Sequence, residues 1–256
     1  MTSTADRRIA LITGAGAGIG AAIAENLAQS GHHVVLADLK LDAAAEVAES
    51  LVAQGLSAQG RGMDVGDRES IADTFEWVEQ THGRCDVLVN NAGIARTVAF
   101  VDYPDDHWQA TLNVNVTGAF RCGQHAARLM QRHRWGRIVN IASTSGIRAG
   151  TGRTAYGTSK SALIGVTRQM AIELAEYGVT ANAVAPGPIE TPLSREVHSQ
   201  ATRDAYMRLV PARRYGTPEE VASAVGFLAS EAAGYINGHV LPVDGGFVAA
   251  GMLAEF

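Results

Sequence analysis

The sequence predicts an α/β fold, a parallel sheet with helices on both faces. Three observations predict it. Short β-branched runs alternate with longer stretches of helical pattern. Several runs are continuous apolar blocks, such as VVLA, DVLV and RIVNIA. Strands of a parallel sheet read this way because both of their faces are covered. No linker, repeat or low-complexity tract breaks the alternation, so residues 1–256 are expected to form one domain.

Candidate strands in order are Ile9–Thr13, Val34–Asp38, Ala58–Asp64, Val87–Asn90, Arg137–Ser143, Val179–Ala185 and His239–Val243. Between them lie candidate helices Ile19–Ser30, Asp42–Gln54, Asp67–His82, Asp105–His133, Tyr156–Tyr177 and Pro218–Ser230. Gly31 and Gly178 stand where a helix stops in a left-handed cap. Thr217-Pro218-Glu219-Glu220 reads as an N-cap, an N1 proline and an acidic first turn. Residues 187–215 depart from the alternation. With Pro186 they hold four prolines, several charges and no clear strand, the pattern of a functional loop or lid.

Composition excludes several classes. Apolar residues make up 46%, enough for a core and against general disorder. The 28 glycines have no G-X-Y period, which excludes collagen. A net charge of −5 gives no electrostatic case for nucleic acid or an anionic membrane. Two cysteines, Cys85 and Cys122, read as reduced thiols rather than a disulfide framework. Dispersed histidines show no metal-ligand spacing, so no metal is expected. Arg7-Arg8 before the uncharged run Ile9–Ala24 imitates a leader peptide, but four glycines interrupt that run. A cytoplasmic protein without membrane spans is the expectation.

The glycines carry the first chemistry. Strand Ile9–Thr13 runs into Gly14-Ala15-Gly16-Ala17-Gly18-Ile19-Gly20, and a helix follows. Glycines permit the tight turn and let backbone amides approach a phosphate. The helix N-terminus then offers unpaired N–H groups to a pyrophosphate. Asp38 ends the second strand, 18 residues after Gly20. A carboxylate there can accept hydrogen bonds from both ribose hydroxyls and would repel a 2′-phosphate, so NAD is favoured over NADP. Ala17 puts no basic residue in the loop, and Lys40 is the one nearby cation that could favour NADP.

Tyr156 and Lys160 are four apart on a candidate helix and share a face. A phenol titrates near ~10, and a neighbouring ammonium lowers that value. Such a tyrosine could take a proton from an alcohol. Ser143 ends the fifth strand, at the sheet edge where open parallel sheets place their sites. Its hydroxyl can hold a substrate oxygen, and Ser145 is nearly as well placed on chemistry alone.

Thr13-Gly-x-x-x-Gly18-Ile-Gly20, Asn90-Asn-Ala-Gly93, Ser143, Tyr156-x-x-x-Lys160 and Pro186-Gly187 occur in an order and spacing that resemble the short-chain dehydrogenase/reductase family. The resemblance runs from about Arg8 to Gly246. It implies a single-domain Rossmann fold with a doubly wound, seven-stranded parallel sheet. It implies that Tyr156 is the general acid/base, Ser143 polarises the substrate, and Lys160 lowers the tyrosine pKa and holds the nicotinamide ribose. Asn115 would hold a water linked to Lys160. Leu39 would stand beside Asp38 on the cofactor. Asp64 and Val65 would border the adenine. Asn91, Ala92 and Gly93 would border the adenosine ribose. Pro186, Gly187, Ile189 and Thr191 would lie along the nicotinamide side.

Substrate is read from fewer residues. Arg148 and Arg153 lie between Ser143 and Tyr156, on the loop that walls the pocket in this family, and guanidinium groups suit anions. Both could equally be solvated or sit at a subunit contact. Glu190, Arg195 and His198 are further polar candidates on the lid. The preferred reading is an NAD-linked oxidoreductase of a secondary alcohol, a polyol, sugar or hydroxy acid. The alternative is a 3-oxoacyl thioester reductase, with the Arg128–Arg134 stretch as a carrier-docking site. A cofactor-sensing protein without activity is a second alternative, opposed by all four catalytic positions being present. The resemblance also implies a homotetramer paired through the helices at Asp105–His133 and Tyr156–Tyr177.

Overall fold

A computed structural model describes residues 7–251. Its sheet has seven strands in the order β3-β2-β1-β4-β5-β6-β7, all parallel. The strands are β1 Ile9–Thr13, β2 His33–Asp38, β3 Ser57–Gly62, β4 Val87–Asn90, β5 Gly136–Ile141, β6 Val179–Pro186 and β7 Val240–Val243. The order reverses between β1 and β4, and that crevice is where an open α/β sheet binds its ligand.

Side chains alternate along each strand, so one strand feeds two cores. Ala10 and Ile12 of β1 join α1 Gly18–Gln29, α2 Leu41–Ala53 and α9 Pro218–Ala229. Ile9 and Leu11 join α3 Arg68–His82, α5 Ala119–His133 and α6 Thr154–Leu174 on the other face. This two-sided burial is why the strands read as unbroken apolar blocks.

The edge away from the crevice is fastened by charge and aromatic contacts. Arg8 and Arg137 lie over the Trp135 ring at 3.6 and 4.4 Å from its centroid. Glu231 accepts from Arg8 and from Trp135 Nε1. Asp86 accepts from the backbone of Ile9 at 2.8 Å and is held by Arg84.

Two expectations are corrected. The helix Asp105–His133 is not continuous. α4 spans Asp105–Leu112, a π-helical turn spans Asn113–Gly118, and α5 begins at Ala119. The wider turn buries Asn115 and brings Gly118 against the Val65 carbonyl. π-turns are frequent at functional sites. Residues 187–215 are not a plain loop either. They contain α7 Pro192–Val197 and α8 Gln200–Leu209, capped by Thr191 and Ser199.

His33 opens β2 and His82 closes α3, with ring centroids 4.8 Å apart. Both Nε2 atoms are buried without a partner. Burial, then the His82 and Arg7 charges, pushes His33 down to about 4, and burial also lowers His82. An unfolded histidine titrates near ~6.5, so the unfolded chain takes up protons first as pH falls. This contribution to stability is full above about pH 6.5 and is lost progressively toward about pH 4. The thermal midpoint should therefore drop between about pH 7.5 and pH 5. His33→Asn, which does not titrate, should show a shallower drop; equal slopes in both proteins would refute this origin.

Candidate active site

A cleft of about 690 Å³ opens at the carboxyl edge of β1, β4, β5 and β6. It lies within the usual range for a ligand site. One end is the glycine loop. Gly14 has φ +65°, and a Cβ there would stand 2.8 Å from the Ala92 Cα. Ala17 caps α1 without a side-chain hydrogen bond, so no side chain takes the amides of the first turn. Gly16, Ala17, Gly18 and Ile19 line the cleft. Gly20 does not. A Cβ at Gly20 would overlap the Gly14 carbonyl, so its part is close packing behind the loop rather than lining the wall.

Asp38 reaches the same loop. Its Oδ2 accepts from Gly16 N at 2.9 Å and its Oδ1 from Lys40 N at 3.0 Å. The carboxylate is thus pre-oriented on the cleft wall, beside Leu39 and Lys40. Asn91 bolts the β4 end to the β1 end, with Nδ2 donating to the Thr13 and Gly14 carbonyls at 2.9 Å. Thr13 Oγ1 accepts from Asn91 N and Ala92 N at 3.0 Å. Asp64, Val65, Asn91, Ala92 and Gly93 all line this half. Cradle, acid and free helix amides together fit a dinucleotide.

The other end holds Ser143, Ser145, Tyr156 and Lys160. Ser143 caps the turn Thr144–Gly146, its Oγ accepting from Ser145 N at 3.0 Å. It is both a turn cap and a cleft residue. Burial raises the Tyr156 phenol, opposed by the Ser143 hydroxyl and the Arg153 charge. Lys160 Nζ lies 5.7 Å from the Tyr156 ring centroid and donates to the Ile141 carbonyl at 2.7 Å. Burial lowers this ammonium to about 8. Arg153 is a second cation at this phenol, its guanidinium carbon at the same 5.7 Å from the ring centroid as Lys160 Nζ.

Asn115 is buried behind the wall rather than on it. Its Oδ1 accepts from Ile94 N at 2.8 Å. Its Nδ2 donates to Ile94 O at 3.0 Å and Ser159 Oγ at 2.9 Å. The side chain therefore clamps Ile94, a cleft residue, to the helix bearing Tyr156.

Pro186, Gly187, Ile189 and Thr191 line the cleft at the start of the 187–215 segment. Arg153 also lines it, but Arg148 does not. Arg148 is turned to the C-terminal segment, where Nη1 donates to Phe247 O at 2.7 Å and the guanidinium covers the Phe247 ring. Glu190 is taken up by Arg195 and Arg203, whereas His198 faces the cleft. Tyr206 of α8 is a lining residue that sequence reasoning missed. The Arg128–Arg134 stretch runs toward the opposite sheet edge, where Arg132 pairs with Glu79 at 2.7 Å and Arg134 donates to Glu176 O. It does not border this chain's own cleft.

The chain matches a family model described as enoyl-(acyl carrier protein) reductase over residues 14–248. It is 41% identical over 239 residues to the 3-oxoacyl-(acyl-carrier-protein) reductase FabG of Pseudomonas aeruginosa, covering 93% of this chain and 96% of that protein. The Aquifex aeolicus FabG is 43% identical over 240 residues, with the same coverage of 93% and 96%. Among solved structures, a gluconate 5-dehydrogenase from Burkholderia cenocepacia, in complex with NADP and tartrate, superposes with a TM-score of 0.91 at 36% identity, covering 97% of this chain and 100% of that one. The structure of gox2181 gives 0.93 at 37% identity, covering 96% and 97%. The two FabG relatives fit the thioester alternative better than the polyol, sugar or hydroxy-acid reading preferred on sequence. Fold, cleft and likeness agree that the chain belongs to the short-chain dehydrogenase/reductase family, as an NAD(P)-linked oxidoreductase acting on CH–OH groups.

Proposed function

We propose that the chain is an NAD(H)-linked 3-oxoacyl thioester reductase, able to run the reverse oxidation of the 3-hydroxyacyl compound. The observation that carries this is one continuous cleft joining the glycine cradle and Asp38 to Ser143, Tyr156 and Lys160. The FabG relatives support the acyl substrate. Asp38 supports NAD, since its carboxylate faces the wall where a 2′-phosphate would lie. That separates this chain from the gluconate 5-dehydrogenase solved with NADP.

The nicotinamide, when bound, supplies or takes the hydride. Ser143 Oγ donates to the substrate oxygen and fixes the reacting carbon. Tyr156 gives its phenol proton to that oxygen during reduction and recovers it in oxidation. Lys160 stays pinned to Ile141 O, at the seam between cofactor and phenol. Asn115 holds the Ile94 wall and the catalytic helix in register. Membership of the family supports a homotetrameric assembly, and two buried free thiols fit a cytoplasmic enzyme.

A second reading, a hydroxy-acid dehydrogenase, is favoured by Arg153 on the cleft wall and by the tartrate bound to the gluconate relative. Initial rates with NADH on an acetoacetyl thioester, against reverse rates on gluconate and polyols, separate the two. Higher kcat/KM on the thioester is expected. Turnover of gluconate or a polyol with none of the thioester would overturn the proposal.

A further inference from the structure

Arg153 is the N-cap residue of α6, three residues before Tyr156. Its guanidinium carbon lies 5.7 Å from the Tyr156 ring centroid. Among the described residues no carboxylate pairs with it; the neighbouring Glu190 is occupied by Arg195 and Arg203. Its partner is neutral. Nη2 donates to His198 Nε2 at 2.8 Å, and Nδ1 of that ring stands 3.1 Å from the Tyr215 hydroxyl. An arginine can donate only, so Nε2 is the acceptor and Nδ1 carries the proton. Burial and the Arg153 and Arg203 charges hold His198 in this neutral form, with its pKa down to about 4.

The lid thus aims a guanidinium without neutralising it. A fork of five N–H donors has one engaged by His198, and the side chain lines the cleft beside the phenol. The guanidinium is half-buried on the cleft wall, so its remaining N–H donors are open to an acceptor brought by a ligand.

We propose that Arg153 is a specificity residue that takes an acyl oxygen on the carbon two bonds from the reacting carbonyl, with His198 as the positioning residue that orients it. The inference rests on the acyl reading above and deepens it. The shared chemistry is a C1 acyl oxygen, from either a thioester or a free carboxylate. A β-dicarbonyl fits because rotation about C2 can bring its second oxygen to the same side as the first, toward a group flanking Tyr156. A plain ketone has no such oxygen.

The test compares wild type with Arg153→Met and Arg153→Lys on an acetoacetyl thioester, on acetoacetate and on a plain methyl ketone. The kcat/KM ratio of acyl substrate to plain ketone should fall by about thirtyfold in Arg153→Met, the size of a lost charge-assisted hydrogen bond. Arg153→Lys should fall in between. A larger loss on acetoacetate assigns the natural ligand as the carboxylate, and a larger loss on the thioester assigns the acyl thioester. Equal losses on acyl substrate and plain ketone would overturn the proposal. His198→Gln, which keeps an acceptor, should retain more of the ratio than His198→Ala; this arm serves if Arg153→Met does not fold, and identical ratios in the two would count against the relay. Should wild type reduce only plain ketones, the functional reading falls, and Arg153 is read instead from inhibition of that reaction by 3-hydroxybutyrate. That inhibition should weaken about tenfold in the Arg153 variants, and unchanged inhibition would overturn the assignment.

Discussion

Tyr156→Phe should lower turnover by about two to four orders of magnitude, the usual share of a positioned acid/base. The substitution removes one oxygen and keeps the ring, with the Arg153 guanidinium and the Lys160 ammonium each 5.7 Å from its centroid. The cleft wall should therefore persist. Binding of NADH, followed by fluorescence, should be nearly unchanged, because the cradle and Asp38 lie at the other end. Loss of NADH binding would mean that the variant disturbs the fold rather than the proton transfer. Wild-type turnover would sink the mechanism outright.

The second large effect is cofactor choice. A carboxylate about 5 Å from a dianionic phosphate costs on the order of 2 kcal/mol under near-aqueous screening, or about thirtyfold in affinity. Asp38→Asn removes the charge but keeps an oxygen to accept from Gly16 N. It should raise the NADP to NAD ratio of kcat/KM by about that thirtyfold. Asp38→Ala should do the same while weakening both cofactors, because the loop loses its anchor. Steady-state kinetics with both cofactors read the two ratios. A wild type that prefers NADP, or an Asp38→Asn ratio equal to wild type, would contradict the argument.

Much of the scaffold was legible because it depends on local signals. β1 and β4 begin and end where apolar blocks meet a turn, and both match to the residue. The glycine loop and Asp38 were legible because the turn permits few residue types. The π-turn at Asn113–Gly118 was not. It shifts one hydrogen-bond step between two helical stretches, and Asn113-Val114-Asn115-Val116-Thr117-Gly118 contains no proline that would end a helix there. α7 was more readable than it seemed. Thr191-Pro192 with Ser194 forms a capping box of the same kind as Thr217-Pro218 with Glu220, which was used to start α9. Pro192 is the N1 residue of α7 rather than a loop residue.

Side-chain destinations were the least legible part. Arg148 and Arg153 look equivalent in sequence. One is drawn to a carbonyl 99 residues away and the other to a histidine 45 residues away. Nothing local distinguishes them. The same limit hid the Asn115 clamp on Ile94, which depends on the π-turn delivering that side chain inward.

The Trp135 stack and the Asp86 anchor sit at the sheet end remote from the cleft. This fastening is separate from the chemistry, and at the cleft end the strands are tied by the Asn91–Thr13 bolt, which lies outside the variable rim. Loops at the chemical end can be lengthened, exchanged or recharged with little effect on what keeps the strands registered. Descent can then explore substrates by editing one rim, and a shared frame reaches both acyl-carrier reductases and gluconate dehydrogenases. A library confined to residues 147–153 and 193–206 should accordingly keep a high fraction of folded members.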